Sequence, residues 1–422
     1  MVILFLHQNF PGQFAHLAPA LAKAGHRVFA LTSRYEKRHM WRGVDVIAYR
    51  YDAPSEQKLH PWTTTVNKAI DRGATVFRAC EALKGRGLNP DVIVAHSGWG
   101  EAMFLRHVWP DARIGVFCEF SYRAEGADIG FDPEFDGKPE LGRGPRVEMK
   151  NLAMRLQLES ADAGISPTHW QADMHPPELR RKITVAFDGI DTDDIAPDPS
   201  AQLELPGYGT FTRDDEVVTF VNRNLEPYRG FHVFMRALPD LLRRRPGAKF
   251  LIVGDDGVSY GSAPKDGGTW RQKMVAELGS RIAPQDWNRV HFTGRIGRDD
   301  FTRLLQVSRV HVYLTYPFVL SWSLVEAMSV GCAIVASDTA PVREVIDQDK
   351  TGRLFDFFDG PRMVDLVDAL LDDSQARAAL GQAARARVLR DYDLKRVCLP
   401  QQFRWIEELA SGDQSRPSAT LN

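Results

Sequence analysis

Cysteine is scarce and scattered in this chain: Cys80, Cys118, Cys332 and Cys398 are its only four, and no two have the CxxC spacing of a zinc or redox site. A reducing cytoplasmic setting fits that usage. An excess of one charge is lacking too. The 53 Lys and Arg against 55 Asp and Glu leave a net charge of -2, so no overall positive field marks nucleic acid as the partner. Long hydrophobic runs are missing as well. No stretch approaches the roughly 20 apolar residues of a spanning helix, so the membrane contact left to expect is peripheral, at the inner face of the plasma membrane. The apolar start Val2-Ile3-Leu4-Phe5-Leu6 runs into His7-Gln8-Asn9 without a basic leader and reads as a buried strand, not a signal peptide.

What is present is enough apolar mass for two cores, with 44% of the 422 residues hydrophobic. Short apolar runs alternate with amphipathic helical patterns, which predicts an α/β fold of parallel sheets wrapped by helices. The first half reads as strands at 2–6, 26–31, 91–95, 113–118 and 163–165, with helices near 13–24, 65–85, 99–107 and 147–160. A Gly- and charge-rich stretch, 125–146, reads as a long loop, functional or disordered. Between 188 and 215 the pattern dissolves around Pro197, Pro199 and Pro206. We therefore place an N-terminal domain at 1–190, a linker at 191–215 and a C-terminal domain at 216–390. A helix at 391–410 is expected to pack back on the first domain, followed by a disordered tail at 411–422. Two Rossmann-like doubly wound domains facing across a cleft would bind ligands at the carboxyl ends of their strands.

Three clusters carry candidate chemistry. In His7-Gln8-Asn9-Phe10-Pro11-Gly12-Gln13 a strand meets a helix beginning near Gln13, where Gly12 lets backbone approach a ligand and the helix offers N–H groups to an anion. On its own, such a Pro-Gly turn between strand and helix is more often mere geometry. Arg223 and Arg229 lie six positions apart after a strand; two guanidiniums there can clamp a diphosphate and stabilise it as it departs, or stand solvated. The run Tyr316–Asp338 holds Ser321 and Ser323 as helix caps at a phosphate-binding terminus, and Glu326 one turn in, placed to accept hydrogen bonds from a vicinal diol.

Leu324-Val325-Glu326-Ala327-Met328, followed by Gly331 and Ile334-Val335-Ala336-Ser337-Asp338, resembles the donor-site signature of retaining glycosyltransferases of family 4, which have the GT-B fold. Arg223 with Arg229-Gly230, Leu251–Asp255 and Val290–Gly294 resemble that family's preceding segments in the right order, and together the matches cover most of 217–355. The resemblance implies a nucleotide-diphosphate sugar as donor, UDP- or GDP-linked, and no cofactor. Arg223 and Arg229 would hold the diphosphate, with Gly12 approaching it. Glu326 would take the ribose diol, Gly294 and Arg295 would border the base, and Trp322 and Ser323 would turn backbone N–H groups to the phosphate and sugar.

The family's first motif glutamate falls here on Phe318, which cannot bind a sugar hydroxyl. Glu119, after the strand ending Val116-Phe117-Cys118, is a candidate replacement that would orient a donor or acceptor hydroxyl; its alternative is an ion pair with Arg123. His96 and Trp41, the latter in the basic and aromatic run 34–42, are acceptor-side candidates, each also readable as structural. Asp191-Thr192-Asp193 and Asp391-Tyr392-Asp393 match the Asp-x-Asp of metal-dependent transferases, but one sits in the linker and the other at a helix end, ordinary places for Asp. No metal is expected. The reading is a retaining hexosyltransferase acting on a glycan or lipid-linked acceptor in polysaccharide, lipopolysaccharide or glycolipid assembly. A nucleotide-sugar epimerase of the same fold and a catalytically silent nucleotide-sugar-binding module are the alternatives.

Overall fold

The structure, a computed structural model, describes residues 1–52, 59–136 and 141–412, so most of the tail expected to be disordered lies outside the described residues. The chain divides into two compact units, Met1–Gly189 with Leu394–Asn422 as unit 1 and Ile190–Asp393 as unit 2.

Unit 1 is built on eight strands: β1 (Val2–Leu6), β2 (Arg27–Thr32), β3 (His39–Trp41), β4 (Val44–Ala48), β5 (Val92–His96), β6 (Arg113–Phe117), β7 (Ala163–Ser166) and β8 (Ile183–Val185). Their order is β3-β4-β2-β1-β5-β6-β7-β8. All are parallel except β3, which runs antiparallel to β4. Because successive side chains point to opposite faces, each apolar run feeds two cores. Leu4, Leu6, Ile93, Ala95, Ile114 and Val116 enter one; Ile3, Phe5, Val92, Val94 and Phe117 enter the other. The helix Leu399–Ser411 closes the second core with Trp405, Ile406 and Leu409. Gly115 leaves room for it, since a Cβ there would stand 2.6 Å from the Trp405 ring.

Two local features differ from the sequence reading. β3 and β4 form a hairpin in the stretch read as a basic surface run; its turn places Arg42 and Gly43 both at positive φ, 48° and 84°, the geometry of a tight hairpin without its usual Asn-Gly signal. The helix expected at 99–107 is helical only over Leu105–Val108. Gly100, at φ 92°, breaks the start, and a Cβ there would come within 2.3 Å of the Ala69 carbonyl oxygen.

Unit 2 opens with an antiparallel hairpin, β9 (Gln202–Leu205) and β10 (Gly209–Thr212), inside the segment expected to be linker. Buried Leu203, Leu205 and Phe211 hold it down, so the prolines punctuate structure instead of dissolving it. Six parallel strands follow: β11 (Val217–Asn224), β12 (Lys249–Asp255), β13 (Val290–Gly294), β14 (Val310–Tyr313), β15 (Ala333–Ser337) and β16 (Arg353–Phe355). Their order, β13-β12-β11-β14-β15-β16, reverses direction between β11 and β14, as unit 1 does between β1 and β5. Such reversals open a crevice at the strands' carboxyl ends.

Candidate functional site

In unit 2 the reversal point gathers an arginine and a set of aromatic rings. β11 carries Arg223 near its carboxyl end, exposed and held by no hydrogen bond or ion pair among the described residues. Arg229, in the one-turn helix Pro227–Arg229, is only 6% exposed. Its Nη1 donates to Thr315 Oγ1 at 2.7 Å and to the Val319 carbonyl at 3.0 Å, both just beyond β14. The Tyr260 and Phe318 rings lie 5.2 and 6.0 Å from its guanidinium carbon. The two arginines thus differ in kind: one is open to solvent, the other fixed inside the fold. Gly230 permits the tight placement, because a Cβ there would meet Leu314 at 2.3 Å.

Phe318 is 3% exposed and packs against Tyr260 (ring centroids 4.9 Å) and Tyr228 (5.4 Å). Tyr260 is held in turn by Glu226, a buried carboxylate that accepts from the backbone N–H groups of Ser259, Tyr260 and Gly261 at 3.0–3.3 Å. Sequence reasoning missed Glu226; an acidic residue directly before the Pro-Tyr-Arg turn was the available signal.

Further along the same edge, Ser321 caps the helix Trp322–Ser329, accepting from Ser323 N at 3.3 Å and lying 2.9 Å from the Ser323 hydroxyl. Trp322 is 41% exposed. Glu326 is buried and paired with Arg298 at 2.6 Å; burial pushes its pKa up, against the pull of that guanidinium. A diol reaching Glu326 therefore has to share it with Arg298, which is mostly exposed and can swing aside. Gly294, at φ 66°, faces open space, and Arg295 pairs with Asp255 at 3.0 Å.

Unit 1 has its own polar cluster at the β1/β5 reversal. Asn9 N donates to His7 Nδ1 at 2.9 Å, which leaves the proton on Nε2, 2.8 Å from Gln13 Oε1. Gln13 Nε2 then donates to Glu119 Oε1 at 3.1 Å. His96 is fully buried between the Trp99 and Phe117 rings (4.3 and 5.3 Å) and accepts from Gly98 N through Nδ1. Its Nε2 has no hydrogen-bond partner and stands 3.8 Å from Glu119 Oε2. Burial, then neighbouring His7, hold the His96 pKa well below the ordinary imidazole value, so the ring is neutral. Side chains from three strand ends thus meet: Gln13 and His96 approach Glu119, itself about one-third exposed, and His7 joins through Gln13.

Several expectations change here. Arg123 does not pair with Glu119 but donates to the Asp173 carbonyl at 2.5 Å. Gly12 is required by its neighbour: at φ 47°, a Cβ would fall 2.4 Å from His7 Nε2. The regular helix begins at Leu17, after the short Gly12–Phe14 turn, so no α-helix N-terminus stands at Gln13. Gln13 acts through its side chain instead. Trp41 packs edge-on against Phe10 at 5.5 Å with Arg42 over its ring, a structural setting. Of the Asp-x-Asp matches, Asp393 accepts from the Thr192 hydroxyl and Asp391 pairs with Arg390 at 2.7 Å.

Comparison with known proteins bears on this arrangement. Residues 24–195 match the family described as Glycosyl transferase family 4 group, and residues 209–387 match Glycosyl transferases group 1. The chain belongs to the family 4, group 1 glycosyltransferases. It is 31% identical over 254 residues to the phosphatidyl-myo-inositol mannosyltransferase of Mycolicibacterium smegmatis, a match covering 59% of this chain and 53% of the relative. It is 27% identical over 211 residues to the GDP-mannose-dependent alpha-(1-6)-phosphatidylinositol monomannoside mannosyltransferase of Mycobacterium tuberculosis, covering 47% and 49%. The chain thus spans about half the length of the curated relatives it matches. Among solved structures it is similar in fold to sucrose-phosphate synthase of Thermosynechococcus elongatus (TM-score 0.73, 16% identity, 97% of this chain and 100% of that one). HepE of Anabaena in complex with UDP-glucose is similar as well (TM-score 0.66, 17% identity, 97% and 100%). These are GT-B structures. Phe318, Tyr228 and Tyr260 thus form an aromatic cluster beside the buried Arg229. No helix among the described residues is long and apolar enough to cross a membrane.

Proposed function

We propose that this chain is a retaining, metal-independent hexosyltransferase that moves a sugar from a UDP- or GDP-linked donor to an acceptor hydroxyl. The observation that carries the reading is Arg229, a buried cation at the reversal point of unit 2 with exposed Arg223 on the adjoining strand end. A fixed guanidinium in a low-dielectric setting stabilises a departing diphosphate without reorganising. In the proposed reaction the bond from the anomeric carbon to the diphosphate oxygen breaks and an oxocarbenium-like sugar forms. The acceptor hydroxyl attacks from the same face, and its proton passes to the departing phosphate oxygen. Glu326 and the Ser321–Ser323 helix start are assigned to the ribose and phosphate, Gly294 and Arg295 to the base. Glu119, buttressed by Gln13, is assigned to the incoming hydroxyl. In the second Asp-x-Asp match Asp391 pairs with Arg390 and Asp393 accepts from the Thr192 hydroxyl, an engagement within the protein that supports metal independence. The inositol-lipid names of the relatives support a glycolipid or polysaccharide acceptor and peripheral contact with the cytoplasmic membrane face.

Phe318 favours a second reading, a module that binds nucleotide sugar without turning it over. Purified protein offered UDP, GDP, ADP and dTDP sugars in EDTA, with calorimetry and mass-spectrometric detection of donor hydrolysis, separates the two. The transferase reading expects one donor to bind and be cleaved, and Arg229→Ala to slow cleavage about 10²–10³-fold. Binding without cleavage supports the silent module; no binding of any donor, even with added metal, overturns both.

A further inference from the structure

The donor site proposed in unit 2 has side chains assigned to the base, the ribose and the diphosphate, and none to the sugar that is transferred. An aromatic ring beside Arg229 is placed to take that part. Tyr260 lies in the loop after β12, its ring centre 5.2 Å from the Arg229 guanidinium carbon. It packs on Phe318 at 4.9 Å between ring centroids and on Tyr228 at 6.2 Å. Tyr316 and Phe318 are buried and Tyr228 is half-buried, whereas Tyr260 is 42% exposed. Tyr260 is therefore the ring of this cluster that meets solvent at the carboxyl edge of the sheet.

An aromatic residue on a surface loop is ordinarily mobile. This one is held. Glu226 accepts from the N–H groups of Ser259, Tyr260 and Gly261 at 3.0–3.3 Å, which fixes the backbone on both sides of the ring. Asn224, at the end of β11, donates to the Ser259 hydroxyl, and the Trp270 indole donates to the Ser262 carbonyl at 2.9 Å. A tyrosine offers a broad, rigid contact surface at small cost in side-chain entropy, and a group already ordered before binding loses less when a ligand arrives. The neighbouring cation decides which ligand group reaches the ring. Arg229, anchored to Thr315 and Val319, takes the diphosphate in the proposed reaction. Two groups are bonded to that diphosphate, and the nucleoside is assigned to Glu326, Gly294 and Arg295. We infer that Tyr260 contacts the other, the transferred hexose, with its ring face packed against the sugar's C–H groups. The electron-rich face of an aromatic ring attracts such edges. The inference rests on Arg229 holding the donor diphosphate.

The test is calorimetric titration of the full chain with UDP and UDP-glucose, and with GDP and GDP-mannose, for the wild type, Tyr260→Ala and Tyr260→Phe. The wild type should bind at least one of the two sugar nucleotides. Tyr260→Ala should weaken that sugar nucleotide about tenfold and its bare diphosphate less than about twofold, the scale of one aromatic contact. Tyr260→Phe, which keeps the ring, should stay within about threefold of the wild type for both. The Glu226 bonds go to backbone N–H groups, so Tyr260→Ala retains them; if it nonetheless fails to fold, Tyr260→Leu covers Phe318 without an aromatic face and serves in its place. Sugar nucleotide and bare diphosphate weakened equally would mean that the ring merely braces Arg229, which overturns the inference. Binding unaffected by Tyr260→Ala overturns it too, as do Tyr260→Phe behaving like Tyr260→Ala and a wild type that binds a bare diphosphate but neither sugar nucleotide. In each of these cases the nucleotide still binds and the donor reading survives. A wild type that binds none of the four overturns the donor reading and this inference with it.

Discussion

At the scale of single residues, the second unit's site depends on a carboxylate that touches no candidate ligand group. Glu226 gathers three backbone N–H groups and so fixes Tyr260 beside Arg229. Removing the acceptor leaves three backbone donors without their charged partner in a half-exposed loop. Glu226→Ala should therefore cost about 2–3 kcal/mol, in line with hydrogen bonds to charged groups, and lower the thermal midpoint by several degrees. It should also weaken donor binding while Arg229 remains. A variant that melts with the wild type would show that the 259–261 loop is held by other contacts. Gly12 and Arg229 teach a related point: the sequence marks both as special, but the reasons, a histidine ring over one and aromatic packing around the other, exist only in three dimensions.

At the scale of elements, the C-terminal helix Leu399–Ser411 lies across the first sheet where Gly115 removes a side chain. Trp405 is 2% exposed there. Trp405→Ala should cost about 3–5 kcal/mol through lost burial and the cavity left behind, read as a lower urea midpoint with an unchanged slope. A loss under 1 kcal/mol would mean that the helix contributes little to unit 1. The long parallel strands and the 64–85 and 231–244 helices were legible because their apolar periodicity extends over enough residues to decide the period. Short elements were not. β3 spans three residues and turns through Arg42-Gly43, and the β9/β10 hairpin sits in a Pro- and Gly-rich stretch, where composition suggests a linker until the burial of Leu203 and Phe211 is seen.

At the scale of the whole molecule, each unit concentrates its unusual side chains at the reversal point of its sheet, and that convergence is what sequence spacing conceals. His7, Gln13, His96 and Glu119 span more than a hundred positions, yet β1, β5 and β6 are neighbours. Burying such groups makes folding depend on pH. Burial lowers the pKa of His7, His175 and His311 from 6.5 to about 4. The unfolded chain takes up those protons first, so the stability these residues contribute is complete above pH 6.5 and is lost as pH falls towards 4. Each should account for roughly 2 kcal/mol between pH 7 and pH 5. Glu101 works in the opposite direction. Burial raises its pKa from 4.5 to about 7, despite hydrogen bonds from Tyr49 and Gln8. Its contribution is therefore greatest below pH 4.5 and is lost as pH rises through 7, offsetting about one histidine. The wild type should lose stability on going from pH 7 to pH 5. Glu101→Gln, which cannot titrate, should lose about 2 kcal/mol more over the same interval. Urea unfolding at both pH values measures the difference. Parallel profiles for the two proteins would mean that Glu101 titrates as an ordinary carboxylate and that the histidines alone set the acid limit of the fold.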